Sequence, residues 1–158
     1  SKLLFRSPEI KVSVKGKLKM MIVEDKIVIQ ASQELVWQVT IDVGSWPLWS
    51  PGMEKIVRKD SGDFKAGSSA LIKQKLLPET RWVVTELTPN KCFSWQTKVL
   101  GIKMVATHTL IPCNSGATSI LRIEILGWIP VIWPVIKKLI ARALKEENWG
   151  LKNYCESL

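Results

Sequence analysis

A chain of 158 residues is the length of one ordinary domain and can bury a core without disulfides or a metal. Its net charge of +9 is uneven: residues 1–20 hold six cations against the single acid Glu9, a net of +5, which leaves +4 for the rest. Three widely spaced cysteines (Cys92, Cys113, Cys155) without a CxxC exclude a disulfide framework and a zinc site and fit a reduced, cytoplasmic setting. The longest apolar run, Leu126–Ile136, is too short and too broken by proline to span a bilayer.

Residues 1–19 read as a basic arm or an extra strand. Such an arm can contact nucleic acid or an anionic membrane surface. It lacks the interleaved aromatics on which bases stack, so nucleic acid is not expected. A solvated segment is the plainer reading, and a membrane surface is the alternative partner. Nothing here has the form of a secretory h-region, and the chain begins at Ser1 rather than Met, as a trimmed product would.

Met20–Ala31 reads as a strand with Ile27, Ile29 and Ala31 on one face. Ser32 is a candidate N-cap for a helix with apolar residues at Leu35, Val36, Val39 and Val43. Two tryptophans then flank a proline, Trp46-Pro47-Leu48-Trp49, in a segment that allows one short helical turn at most. A weaker strand is expected at Met53–Arg58. After Gly67 the pattern becomes a meander: Ser69–Leu77, Arg81–Leu87, Cys92–Val99, Ile102–Ile111 and Thr118–Gly127. From Ile129 to the end the spacing is helical, with Pro130 and Pro134 at the start, where proline is tolerated. Val135, Ile136, Leu139, Ile140, Ala143 and Leu151 are expected to form its buried face.

Loop lengths set strand register. A two-residue loop at Leu100-Gly101 puts Trp95 opposite Ala106 and Phe93 opposite His108. A loop within Cys113–Gly116 puts His108 opposite Leu121, Ala106 opposite Ile123 and Met104 opposite Ile125. One face then collects Phe93, Trp95, Thr97, Val99, Met104, Ala106, His108, Leu121, Ile123 and Ile125. The other carries Lys98, Lys103, Thr107, Arg122 and Glu124, as a sheet wet on one side requires. Carried backward through a loop at Pro89–Lys91, with Asn90 at positive φ, and another at Pro78-Glu79, the register turns Leu87, Thr85, Val83 and Arg81 inward. It does the same for Leu76, Gln74, Ile72 and Ala70. A curved sheet cannot lie flush along a straight helix, so a hollow is expected between them.

The run from the strand ending "VIQAS" through "ELVWQVTIDVGSWPLWSPGM" resembles the polyketide cyclase/dehydrase and lipid-transport group of the START-like (SRPBCC, birch-pollen-allergen-like) superfamily. The resemblance rests on Ala31, Val36-Trp37, Asp42, Trp46-Pro47, Trp49 and Pro51. It also rests on a closing Leu-Lys-x-x-x-Glu at Leu151, Lys152 and Glu156. It implies an α+β helix-grip fold over residues 20–158. In that fold a curved antiparallel sheet wraps around a long C-terminal helix, and two short helices follow the first strand and close the mouth of a cavity.

The expected function is binding, carrying or sensing of a small hydrophobic or amphipathic ligand, such as a lipid, isoprenoid, quinone or polyketide-like ring compound. The alternative is a cyclase or dehydratase, as the family name implies for some members, with His108 as acid or base. A third reading is a membrane-surface or protein interaction module. The expected ligand-binding residues are Trp49, Gln74, Arg81, Phe93, Trp95, Thr97, Met104, His108, Ile123, Leu139 and Ala143. His108, the single histidine, serves either as the acid/base of the enzyme reading or as a neutral hydrogen-bonding group. Arg81 either holds a ligand carboxylate or phosphate or reaches to solvent. No nucleophile motif, phosphate loop, metal motif or cofactor signature is present in the sequence.

Overall fold

The computed structural model describes residues 18–75, 77–128 and 132–158; the expectations for residues 1–17, Leu76 and Pro130 lie outside the described residues. The first strand, β1 (Leu18–Ile29), ends at a tight corner. Ser32 there accepts a hydrogen bond from Leu35 N (3.2 Å) and caps α1 (Gln33–Ile41). A 3₁₀ helix, Val43–Leu48, follows directly with Pro47 inside it. Asp42 joins the two helices: its carboxylate accepts from Ser45 Oγ at 2.7 Å. The remaining strands are β2 (Met53–Arg58), β3 (Ser69–Gln74), β4 (Thr80–Thr88), β5 (Cys92–Val99), β6 (Ile102–Cys113) and β7 (Gly116–Trp128). The long helix α2 (Trp133–Ser157) closes the chain, with Pro134 in its first turn.

The seven strands form one antiparallel sheet in the order β1-β7-β6-β5-β4-β3-β2. The central registers are those the loops dictate. Phe93 pairs with His108 and Trp95 with Ala106 across β5–β6, and His108 pairs with Leu121 across β6–β7. Leu100 and Gly101 both take positive φ (51° and 77°), so their two-residue turn matches the twist of the strands it joins. Asn90 also has positive φ, at 60°.

The backward extension fails at one point. The β4–β5 ladder slips between Val84 and Glu86, leaving Thr85 in a bulge. Leu87 stays opposite Phe93, but before the bulge the strand is inverted. Val84 and Trp82 point inward and are buried, while Arg81, Val83 and Thr85 turn to the convex side. On β3, Ala70 and Ile72 are buried as expected.

Helix α2 lies along β1 and is latched there by polar groups. Asn148, fully buried, donates to Asp25 Oδ2 (2.7 Å) and accepts from Ser119 Oγ (2.9 Å). Lys152 donates to the Val28 carbonyl (2.8 Å) and pairs with Glu156 (2.6 Å), which in turn accepts from Gln30 N (2.8 Å). The closing Leu-Lys-x-x-x-Glu is thus a structural latch: Leu151 enters the core, and the two charged residues cap the open end of β1. The buried stripe of α2 is Leu144, Asn148, Leu151 and Cys155, flanked by the half-buried Ile136 and Ile140. Val135, Leu139 and Ala143 lie instead on the opposite, solvent-facing side. Their expected place against the sheet is corrected by the latch: seating Asn148 against β1 and β7 rotates them outward.

Candidate functional site

The concave face has two unlike parts. Beneath α1 and the 3₁₀ helix it is filled with aromatic rings. Trp46, 1% exposed, donates from Nε1 to the Thr40 carbonyl (3.0 Å) and stands against Trp95 (5.3 Å between ring centroids) and His108 (5.1 Å). Phe93 stacks on His108 at 4.6 Å with the rings 10° from parallel. Trp37, Phe64 and Trp82 complete the cluster with edge-on or tilted contacts. The Trp-Pro-x-Trp segment therefore does more than cover a mouth. Trp46 is driven into the interior, and the hollow expected beside Phe93, Trp95 and His108 is occupied by the protein's own rings.

Toward α2 the burial is shallower. Met104 and Ile123 point to the concave side of β6 and β7 and share a cluster with Ile136 and Ile140, yet both keep accessible surface. Thr97, buried, pairs with Met104. Glu147, one turn from both Leu144 and Leu151, also retains accessible surface, while burial pushes its carboxyl up to about 8. It is protonated at neutral pH and can donate a hydrogen bond.

His108 is buried, and burial pushes its imidazole down to about 3, so the ring is neutral. Among the described residues no side-chain hydrogen bond engages its nitrogens. The atoms sealed from solvent without a partner are Trp49 Nε1 and Arg58 Nε.

The remaining expected residues are dispersed. Trp49 is buried against Trp46 (5.8 Å) and packs its backbone on α2. A Cβ on Gly150 would come 2.0 Å from the Trp49 carbonyl oxygen, so only glycine allows this approach. Gln74 is at the sheet edge opposite Met53, with its Nε2 3.5 Å from Met53 Sδ. Arg81 is exposed on the convex side and donates to Ser69 Oγ (3.0 Å). Its expected role in the hollow is corrected by the bulge. Leu139 and Ala143 face away from the sheet, as described. An outer cleft of about 670 Å³ runs between Pro47–Pro51 and the outer side of α2 at Arg142, Glu146, Trp149 and Asn153. Glu147 escapes a reading of the sequence because it looks like one more acid in "KEEN"; the one signal is its place midway along the Leu144–Leu151 stripe. Among the described residues no cluster of side chains could hold a metal, and no helix is long and apolar enough to cross a membrane.

No curated protein sequence matches the chain. Solved structures share the fold at low identity. The Zhui aromatase/cyclase from Streptomyces sp. R1128 superposes with a TM-score of 0.72 at 14% identity, covering 87% of this chain and 94% of that one. The allergen Ara h 8.0201 gives 0.68 at 10%, covering 89% and 100%. The di-domain aromatase/cyclase StfQ of the steffimycin biosynthetic pathway gives 0.69 at 13%. There this chain, 87% covered, spans about half (51%) of the other. At such identities the likeness establishes the helix-grip architecture alone. The family model for polyketide cyclase/dehydrase and lipid transport matches residues 20–156, nearly the whole sheet and helix. The chain therefore belongs to the polyketide cyclase/dehydrase and lipid transport family.

Proposed function

We propose that the protein binds a small hydrophobic or amphipathic molecule in the recess between α2 and the inner face of β6 and β7, without transforming it. The observation that carries this reading is the accessible apolar surface of Met104 and Ile123 on the concave side of β6 and β7, in the cluster that Ile136 and Ile140 of α2 join. Apolar surface left there gains about 25 cal/mol for each Å² that a guest removes from water. The neutral Glu147 carboxyl supplies a hydrogen-bond donor for a polar end without the cost of desolvating a charge. Lipids, isoprenoids, quinones and polyketide-like rings share this chemistry.

Catalysis through His108 is the weaker reading. An imidazole pushed by burial to about 3 and stacked on Phe93 is a poor proton acceptor near neutrality. Cytoplasmic operation is part of the proposal and rests on the reduced cysteines.

The test is native mass spectrometry and thermal shift of the full chain against a panel of fatty acids, isoprenoid quinones and polycyclic aromatics, with Ile123→Trp as the filled control. Binding in the parent that the control loses, while keeping its fold, is the expected outcome. No binding by the parent, or unchanged binding by the control, overturns the recess as the site.

A further inference from the structure

The end of the sheet opposite the latch carries several exposed apolar side chains. Leu100 is 95% exposed at the tip of the β5–β6 hairpin, and Trp128 is 69% exposed at the end of β7. These two tips adjoin: a Cβ on Gly127 would lie 3.4 Å from the Gly101 carbonyl oxygen. Helix α2 begins at the same end and presents Ile132, Val135 (60%) and Leu139 (52%) to solvent. The β3–β4 loop, with Leu77 exposed, borders the hairpin across a shallow cleft of about 550 Å³ lined by Pro78–Arg81 and Thr97–Leu100.

Charge at this end is mainly positive. Lys75, Lys98, Lys137 and Lys138 are exposed among the apolar tips. Glu79 is the acid of the β3–β4 loop, and Glu54 on the neighbouring edge strand already faces Lys73 (3.9 Å). Residues 1–17 carry five more cations against Glu9, and they join the described fold at Leu18, directly opposite Trp128 in the β1–β7 ladder.

We infer that this end is a docking face for an anionic lipid bilayer surface. Apolar tips flanked by lysines are what such a surface takes up: the tips enter the boundary between headgroups and acyl chains, and the cations stay among the acidic headgroups. Monomeric proteins rarely leave large apolar patches in water without a partner. An acidic protein partner would meet the lysines but give no reason for separate apolar tips on three loops and a helix. The inference goes beyond the ligand reading and does not need it, because binding to a bilayer is measured without any guest in the recess.

The experiment is co-sedimentation of the full chain with phosphatidylcholine vesicles containing 30% phosphatidylserine or none, at low and high salt. Quenching of tryptophan fluorescence by brominated acyl chains is read in parallel. Binding to the anionic vesicles alone, weakened by salt and accompanied by quenching, is expected. The variant Leu100→Asp/Val135→Asp/Leu139→Glu, at three exposed sites, should lower it at least tenfold with an unchanged melting temperature. Lys137→Glu/Lys138→Glu should lower it while reducing the salt dependence, and Lys91→Glu at the far end of the sheet should leave it intact. No binding by the parent, equal binding by the triple variant, or equal loss in Lys91→Glu overturns the assignment. So does self-association or binding of an acidic protein that the triple variant abolishes in the absence of vesicle binding.

Discussion

The two halves of α2 have similar apolar periodicity and opposite fates. From Leu144 onward the helix is fixed to β1 by Asn148, Lys152 and Glu156, and its backbone is pressed against Trp49 at Gly150. Before Leu144 it carries Val135 and Leu139 into solvent, while Ile136 and Ile140 only partly reach the sheet. Apolar spacing alone permits either side of such a helix to face inward. A few buried polar contacts choose the side, because only one rotation satisfies Asn148 and leaves no unpaired amide in the core.

The sharpest way to break this contrast is at the latched end. Trp46→Ala removes the ring that fills the interior beneath the 3₁₀ helix and should cost about 3–5 kcal/mol in urea unfolding. Gly150→Ala should cost about 3 kcal/mol, at the upper end of overpacking effects, because the Trp49 carbonyl cannot be displaced without moving the neighbouring tryptophans. In an ordinary helix the same change would stabilise by about 1 kcal/mol, so the sign alone decides whether the close approach exists. Asn148→Ala strands Asp25 and the Ser119 hydroxyl and should cost about 2 kcal/mol.

A shallower effect follows pH. Glu147 has a raised folded-state pKa, so its contribution is fully present below about 4.5 and is lost as pH rises through about 8. His108 has a depressed one, so its contribution is present above about 6.5 and is lost as pH falls through about 3. Glu147→Gln should remove the fall in stability between about pH 4.5 and about pH 8 and leave the fall below pH 4.5 unchanged; an unaltered slope in that window would show that the carboxyl is open to water. The smallest effect belongs to the free half of the helix. Leu139→Lys should shift stability by less than about 0.5 kcal/mol, and a large loss there would mean that this side is packed after all.

The legibility of the chain follows the same divide between local and distant constraints. The β5–β7 ladders are legible because Leu100-Gly101 and the Cys113–Gly116 hairpin fix register within a few residues, so loop length alone turns His108, Phe93 and Trp95 inward. The outward turn of Arg81 and Thr85 is not legible, because a bulge inverts the strand upstream of it and nothing in "RWVVTELT" marks Thr85 as the extra residue. Leu139 and Ala143 were misplaced because the contacts that orient α2 reach across more than a hundred residues, from Asn148 to Asp25. That aromatic rings would fill the space beside His108 was not legible either, since the side-chain sizes of Trp46 and Trp95 do not state how closely the sheet curls around them.

The pairing of β1 with β7 sets the order in which the molecule can be assembled. During synthesis the first strand emerges long before its hydrogen-bonding neighbour, and the helix that grips it comes later still. Until β7 has emerged that strand has no ladder, and until α2 has followed it has no latch. A topology of this kind folds slowly for its size and leaves a bare, sticky edge open to chaperones and to sister chains in the interval.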